Sequence, residues 1–337
     1  MNISEFQSQL NQWGREQVPF LFVVDFELEN LMAWKIDEMP EDILFSINDP
    51  ESVGLPARSF TQVGVRPTSS PLERVGVRLL RPHPISFSEY KTKFAFVKDR
   101  IHLGNSYLTN LTIKTKIDID SSLDELFFAS AAKYKLCWRN KFLVFSPETF
   151  VQIKNGKICS FPMKGTIDAS LPHAEEIILS DEKELAEHVT IVDLIRNDLS
   201  AVAANVKVDR FRYVEKIKTN QKHLLQVSSK ISGDLPKNFQ QNIGTILFSL
   251  LPAGSISGAP KKKTLQIIAK AEKEKRGYYT GVFGYFDGRN MDSAVMIRFI
   301  EQEGTDFYYR SGGGITAQSE VAKEFQEAMD KIYVPID

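Results

Sequence analysis

Close to its C-terminus the chain runs through three strand-like segments, 281–286, 292–300 and 306–312, joined by only a few polar residues each. Parallel neighbours need crossover connections of about a dozen residues or more, so links this short permit only antiparallel pairing. A second signal of the same kind lies upstream, where 150–153 and 157–161 flank Asn155-Gly156, a strong hairpin dipeptide. Residues 20–26 (FLFVVDF) read as a buried strand, and 106–119 alternates like a strand. Helical spacing links Tyr90, Phe94, Val97 and Ile101 in 86–102, and a further helix closes the chain over 320–332. A helix over 181–199 carries an apolar stripe of Leu185, Val189, Val192, Ile195 and Leu199. The stretch 48–73, rich in Pro, Gly and Ser, reads as long loops around short strands. The fold class this predicts is α+β with mainly antiparallel sheet. Residues 1–85 form a short N-terminal region that adds strands to the same fold, and 86–337 form the main domain.

Charge excludes several classes of function. With 42 Lys and Arg against 43 Asp and Glu, the net charge of −1 offers neither a nucleic acid nor an anionic membrane a matching surface. Cys137 and Cys159 are too few for a disulfide framework or a zinc site. Residues 1–15 are polar, unlike a secretory signal, and no apolar run approaches the roughly 18 residues that span a bilayer. A soluble protein of a reducing compartment, the cytoplasm, is expected.

Two helices carry paired carboxylates. Glu324, Glu327 and Lys331 share one face of the closing helix, opposite Val321, Phe325, Ala328 and Ile332. Glu184 and Glu187 are similarly spaced on the earlier helix, away from its apolar stripe. Together the two pairs could supply oxygens to a hard divalent cation, for which Mg²⁺ is the natural candidate. Between them lies Gly312-Gly313-Gly314-Ile315-Thr316, where consecutive glycines let the backbone approach a ligand and can hold a carboxylate on their N–H groups.

The segments SPETF (146–150), PMKGT (162–166), KELAEH with IVDLIRNDL (183–199), KHLLQVSS (222–229), GSISGAPKKKT (254–264), RGYYTGVFGY (276–285), MIRF (296–299) and GGGIT with EFQEAMDK (312–331) resemble the chorismate-binding family in residue content and order. The resemblance covers roughly 85–335. It implies a large two-layered sandwich of mainly antiparallel sheets with helices outside, in which chorismate and Mg²⁺ occupy a cleft between the layers. It also makes 86–337 the catalytic domain. Glu187 and Glu327 are implied as the Mg²⁺ ligands, with Glu184 and Glu324 beside them, directly or through water. His223 is implied as an active-site histidine. Tyr279, Arg298 and the Gly313–Gly314 backbone are implied to bind the enolpyruvyl carboxylate, with Lys331 close by and Ser257 donating to a substrate oxygen.

Within the family, Lys164 in PMKGT resembles the aminodeoxychorismate synthase branch, where this lysine is proposed as a covalent nucleophile. An amine attacking ring C2 shifts the double bonds and releases the C4 hydroxyl, and ammonia then enters C4 by the reverse displacement. Hydroxide leaves poorly, and the matching general acid is Glu148. The lysine must be desolvated or sit near a cation to attack as the neutral amine. A two-residue Asn155-Gly156 turn would put Glu148 opposite Met163, with Lys164 on the other face. A bulge at Gly156, or a kink near Pro162, is therefore expected to bring the two together.

Leu108 stands where the resemblance places a lysine in isochorismate synthases, and leucine cannot activate water. Neither cysteine sits in a glycine-flanked nucleophile turn. The resemblance thus implies that ammonia comes from a separate glutaminase subunit or free ammonium, and that a pyridoxal-phosphate lyase acts downstream to form para-aminobenzoate. Two rivals stay open. An anthranilate synthase component I would lose the enolpyruvyl group, and a non-catalytic chorismate-binding regulatory subunit would bind without turnover.

Overall fold

The computed structural model describes residues 1–47, 80–218 and 223–336, so the loops expected over 48–73 lie outside the described residues. The described strands form one sheet of nine and one of eight, paired antiparallel throughout. The expected sandwich, with helices outside, is what forms.

Phe20–Val24 explains the layering. All five of its residues are buried, because both faces of the strand are covered. Phe20, Phe22 and Val24 pack into a core shared with the outer helices, while Leu21 and Val23 join the core between the sheets. That inter-sheet core takes Phe283 and Ala294 from the nine-stranded sheet and Ile43, Leu136, Val144 and Phe299 from the other. Strand periodicity sends alternate side chains to opposite layers, so a strand buried on both faces reads as a continuous apolar run.

The expected strand over 292–300 is in fact two. Met291–Val295 belongs to the nine-stranded sheet and Phe299–Glu303 to the eight-stranded one. The chain crosses between sheets at 296–298, and Arg298 takes up the turn with a left-handed φ of 54°. The short connections remain antiparallel on either side, pairing Val282–Phe286 with Met291–Val295 and Phe299–Glu303 with Asp306–Ile315.

The helices begin where side chains can cap them. Ser86 accepts from the N–H of Glu89, and Asp181 accepts from the N–H of Glu184, satisfying donors that have no partner within the helix. The carboxylate helix Glu182–Ser200 buries Val192, Ile195 and Leu199 of its expected stripe, but its first turns face differently. Val189 is 47% exposed, whereas Glu187 is 6% exposed and His188 fully buried beside Ile191 and Val192. His188 Nε2 lies 2.7 Å from Ser229 Oγ, and Ser229 Oγ also accepts the Arg212 N–H at 2.9 Å. This contact fixes the helix against the strand His223–Asp234. Burial, then the charges of Arg212 and Lys164, push the His188 pKa down from 6.5 to about 4.

A second buried polar anchor joins the layers. Arg276, 1% exposed, bonds Glu272 twice, at 2.9 and 2.6 Å. Its other donors reach the carbonyls of Ile256 and Asn110. Glu272 in turn accepts from the N–H and hydroxyl of Thr112. Breaking such a pair from one side strands a buried charge, whereas replacing both partners by apolar groups does not. Arg276→Met is expected to lower unfolding free energy by about 3–5 kcal/mol, and adding Glu272→Met is expected to restore most of it, both read by urea denaturation.

The sign for His188 follows from its lowered pKa. Neutral imidazole is the form the fold accommodates, so its contribution is complete above pH 6.5 and drains away as pH falls toward about 4. In magnesium-free buffer, the loss of stability over that window should be smaller in His188→Gln than in wild type by on the order of 3 kcal/mol.

Candidate active site

The strand Met163–Asp168 carries Lys164, and the route to it departs from the simple hairpin. Asn155 and Gly156 form a two-residue turn with positive φ at both positions, 52° and 77°, as a type I′ turn requires. Lys154 pairs with Lys157 directly, so Gly156 carries no bulge. The interruption falls at Phe161-Pro162 instead, between Lys157–Ser160 and Met163–Asp168, both of which pair with His223–Asp234. An extra residue then enters at Gly165, where the ladder slips between Lys164 and Thr166 and φ is 72°. A Cβ there would lie 3.3 Å from Glu184 Oε2, so the bulge glycine gives that carboxylate room. Lys164 Nζ donates to Glu187 Oε2 at 2.8 Å.

Opposite stands the strand Asp306–Ile315, ending in the three glycines, followed by the closing helix Val321–Asp330. A Cβ on Gly313 would meet Glu327 Oε1 at 3.4 Å, Glu324 Oε2 at 3.5 Å and Lys331 Nζ at 3.7 Å. A Cβ on Gly314 would meet Leu108 Cδ1 at 2.9 Å and Lys164 Nζ at 3.4 Å. Two consecutive glycines are thus the seam where groups from both helices and the lysine strand meet. Lys331 Nζ donates to the Gly312 carbonyl at 2.8 Å and to Glu327 at 2.6 Å. Thr316 Oγ1 lies 3.5 Å from Glu187 Oε1. Leu108, 3% exposed, forms an apolar wall beside the lysine amine.

Glu148 precedes the strand Thr149–Lys154 and accepts a very short hydrogen bond from Ser255. Burial raises its pKa, against the pull of Ser255 and of the charges on Lys164, Lys331 and Arg298. Glu148 therefore faces the same three cations and holds a proton more readily than an ordinary glutamate. Arg298 is half-buried at the crossing between sheets, with its guanidinium 5.1 Å from the Tyr333 ring centroid. Its Nε is buried and without a hydrogen-bond partner.

Three residues expected at the site stand elsewhere or are engaged otherwise. His223 is exposed at the first residue of its strand. Ser257 is fully buried and spends its hydroxyl on the Ala253 carbonyl at 3.0 Å. Tyr279 is 4% exposed in the inter-sheet core, and burial pushes its phenol up to about 12. The structure puts Ser255, two residues before Ser257 in the same segment, on Glu148, and the buried histidine near the cluster is His188. Serine spacing in GSISG and the histidine directly after Glu187 were the signals available for both.

The lysines differ in electrostatics. Burial works to strip the proton from Lys164, but Glu187, through its charge and hydrogen bond, and then Glu184 and Glu327 outweigh it, holding the ammonium protonated above the usual lysine range. For Lys331 burial prevails over Glu327, helped by Arg298 and Lys164, and its pKa falls. Among the described residues, no three His, Cys, Asp or Glu side chains converge into a ready metal cage. The donors at the seam nonetheless fit a hard cation in kind, since Glu184, Glu187, Glu324 and Glu327 offer only carboxylate oxygens. Lys164 and Lys331 neutralise Glu187 and Glu327 here.

Residues 47–337 match the family described as chorismate binding enzyme. An "uncharacterized PabA-like protein" of Pasteurella multocida is 48% identical over 337 residues, all of both chains. Aminodeoxychorismate synthase component 1 of Klebsiella aerogenes is 34% identical over 265 residues, 74% of this chain and 57% of that protein. Anthranilate synthase component 1 of Aquifex aeolicus is 38% identical over 195 residues, 55% of this chain and 38% of the relative. Among solved structures, MenF, the menaquinone-specific isochorismate synthase of Escherichia coli, shares the fold with a TM-score of 0.71 at 16% identity, over 98% of this chain and 81% of that one. A family match spanning nearly the whole chain and a seam of convergent charged side chains together make this protein a member of the chorismate-binding enzyme family.

Proposed function

We propose that the protein is an aminodeoxychorismate synthase component I, which aminates chorismate at C4 with Mg²⁺ and ammonia supplied by a glutaminase partner. A pyridoxal-phosphate lyase then acts on the product to give para-aminobenzoate. The observation that carries this reading is the position of the Lys164 amine, beside Gly314 and Leu108 and on Glu187. Lys164 is a covalent nucleophile aimed at the seam, not a surface cation. Leu108 at its side keeps that flank of the amine dry, which disfavours water as the attacking group.

Glu187 and Glu327 would hold the Mg²⁺, with Glu184 and Glu324 beside them. When bound, the ion offsets these carboxylates and polarises the ring carboxylate of the substrate. Lys164, after giving its proton to solvent, attacks ring C2 as the free amine, the double bonds shift, and the C4 hydroxyl leaves as water with a proton from Glu148. Ammonia then enters C4, the lysine departs as the neutral amine while the double bonds shift back, and the new C4 ammonium returns a proton to the Glu148 carboxylate. Glu148 suits the acid role because burial favours its protonated form and Ser255 fixes its carboxyl. Arg298 and the Gly313–Gly314 backbone orient the enolpyruvyl carboxylate, with Lys331 close by. Ammonia from a partner also agrees with the "PabA-like" name of the relative that matches end to end.

With chorismate, Mg²⁺ and ammonium, the wild type is expected to make a product that keeps the enolpyruvyl group, and Lys164→Ala should lose most of that activity. Anthranilate formed equally by both proteins would reject this reading in favour of an anthranilate synthase, and tight chorismate binding without turnover would indicate a regulatory subunit. Glu148→Gln is expected to lower kcat by about 10²–10⁴-fold with chorismate binding retained, measured by steady-state kinetics and calorimetry.

A further inference from the structure

Behind Glu148 lies a partly open cavity of about 20 Å³, room for one water-sized molecule, walled by the carboxylate helix, the strand Thr149–Lys154 and the turn Gly254–Ser257. Glu148, which feels the charges of Lys164, Lys331 and Arg298, also lines this cavity. Its walls are largely apolar and buried, through residues such as Val151, Ile195, Leu199 and Leu250. The half-buried lining residues are Glu148, Ser255 and Asp198.

These three mark a short track. Asp198 Oδ2 lies 3.2 Å from where a Cβ on Gly254 would stand. The next residue, Ser255, hydrogen-bonds Glu148. Any side chain at Gly254 would also meet Leu194 Cδ2 at 2.9 Å, so glycine keeps this stretch open. At the far end Lys261 ties Asp198, at 2.8 Å, to the Leu250 carbonyl, at 3.0 Å, holding two walls of the cavity together.

We propose that this cavity is the inlet by which ammonia reaches the Glu148 side of the active site. The inference rests on the amination reading above and gives a role to Asp198 and Gly254. Chorismate, a substituted ring with two carboxylates, is far too large for a cavity of about 20 Å³. Ammonia is small and uncharged, so apolar walls do not hinder it, and carboxylate oxygens accept its N–H bonds. No covalent bond forms or breaks in the passage. Ammonium sheds one proton to solvent at the Asp198 end and enters as ammonia.

The test narrows the inlet from two sides, with Gly254→Ala and Ile195→Phe, each checked for an unchanged melting temperature so that a variant that fails to fold is set aside for the other. The KM for ammonium should rise about tenfold or more, while the KM for chorismate stays within about twofold. Glutamine with a glutaminase partner serves as a second ammonia source. Impairment with both sources makes the inlet common to them, and impairment with ammonium alone makes it the inlet for bulk ammonia. Folded variants with wild-type ammonium KM would overturn the inlet while leaving the amination reading intact. A wild type whose turnover ignores ammonium would overturn both.

Discussion

The ammonium of Lys164 and the carboxylate of Glu187 stand 2.8 Å apart, and the Glu187 side chain is 5% exposed. A carboxylate this deep in a protein is costly unless a partner and hydrogen bonds compensate it. Much of the local architecture follows from that requirement. The carboxylate helix turns Glu187 and His188 inward and leaves Val189 in solvent. The lysine strand bulges at Gly165, and the facing strand offers Gly314, which leaves the amine the space a side chain would take. One charge pair thus aligns a helix, a strand and a glycine turn that are far apart in sequence.

The same region is where the chain changes sheets. Met291–Val295 and Phe299–Glu303 would form a single strand but for the left-handed turn at Arg298. Such a crossing releases a cationic side chain from the ladder at the border of the two layers, where Glu148 and Lys331 feel its charge. Behind it the buried Arg276–Glu272 pair bonds the carbonyls of Asn110 and Ile256. Asn110 is the register partner of Gly314, and Ile256 lies between Ser255 and Ser257. An ion pair remote from solvent therefore supports both the glycine seam and the turn that reaches Glu148.

The site holds opposed electrostatic demands in a small space. Lys164 is kept as an ammonium by the glutamates around it, whereas Glu148 is pushed toward its protonated form by burial. A site whose acid holds its proton more readily than an ordinary glutamate, and whose amine is still masked, is at rest. In the proposed chemistry, positive charge delivered to the glutamates weakens their hold on the lysine, so that cation and substrate together make the amine available. Leu108 adds an apolar side chain at Gly314, where the lysine amine also lies.

Local signals settled a good part of this protein. Short polar links compelled antiparallel pairing, Asn155-Gly156 compelled a tight hairpin, and helical spacing located the helices and both glutamate pairs, because each of these depends on neighbours within a few residues. Side-chain direction was another matter. Apolar periodicity assigned Val189 to the interior, but the ion pair between Glu187 and Lys164 outweighed it. Asn155-Gly156 showed where the hairpin turns, yet the extra residue sits at Gly165, where it accommodates a carboxylate from a helix that the hairpin itself does not contain. His223, Ser257 and Tyr279 were legible as residue types in a segment, whereas Ser255 and His188 acquired their positions only from partners more than forty and a hundred residues away, Ser229 and Glu148 respectively for His188 and Ser255. Sequence alone determined which elements form and which charges they carry. Tertiary structure alone decided which of those charges meet, because burial and pairing energies arise between segments that have no local knowledge of one another.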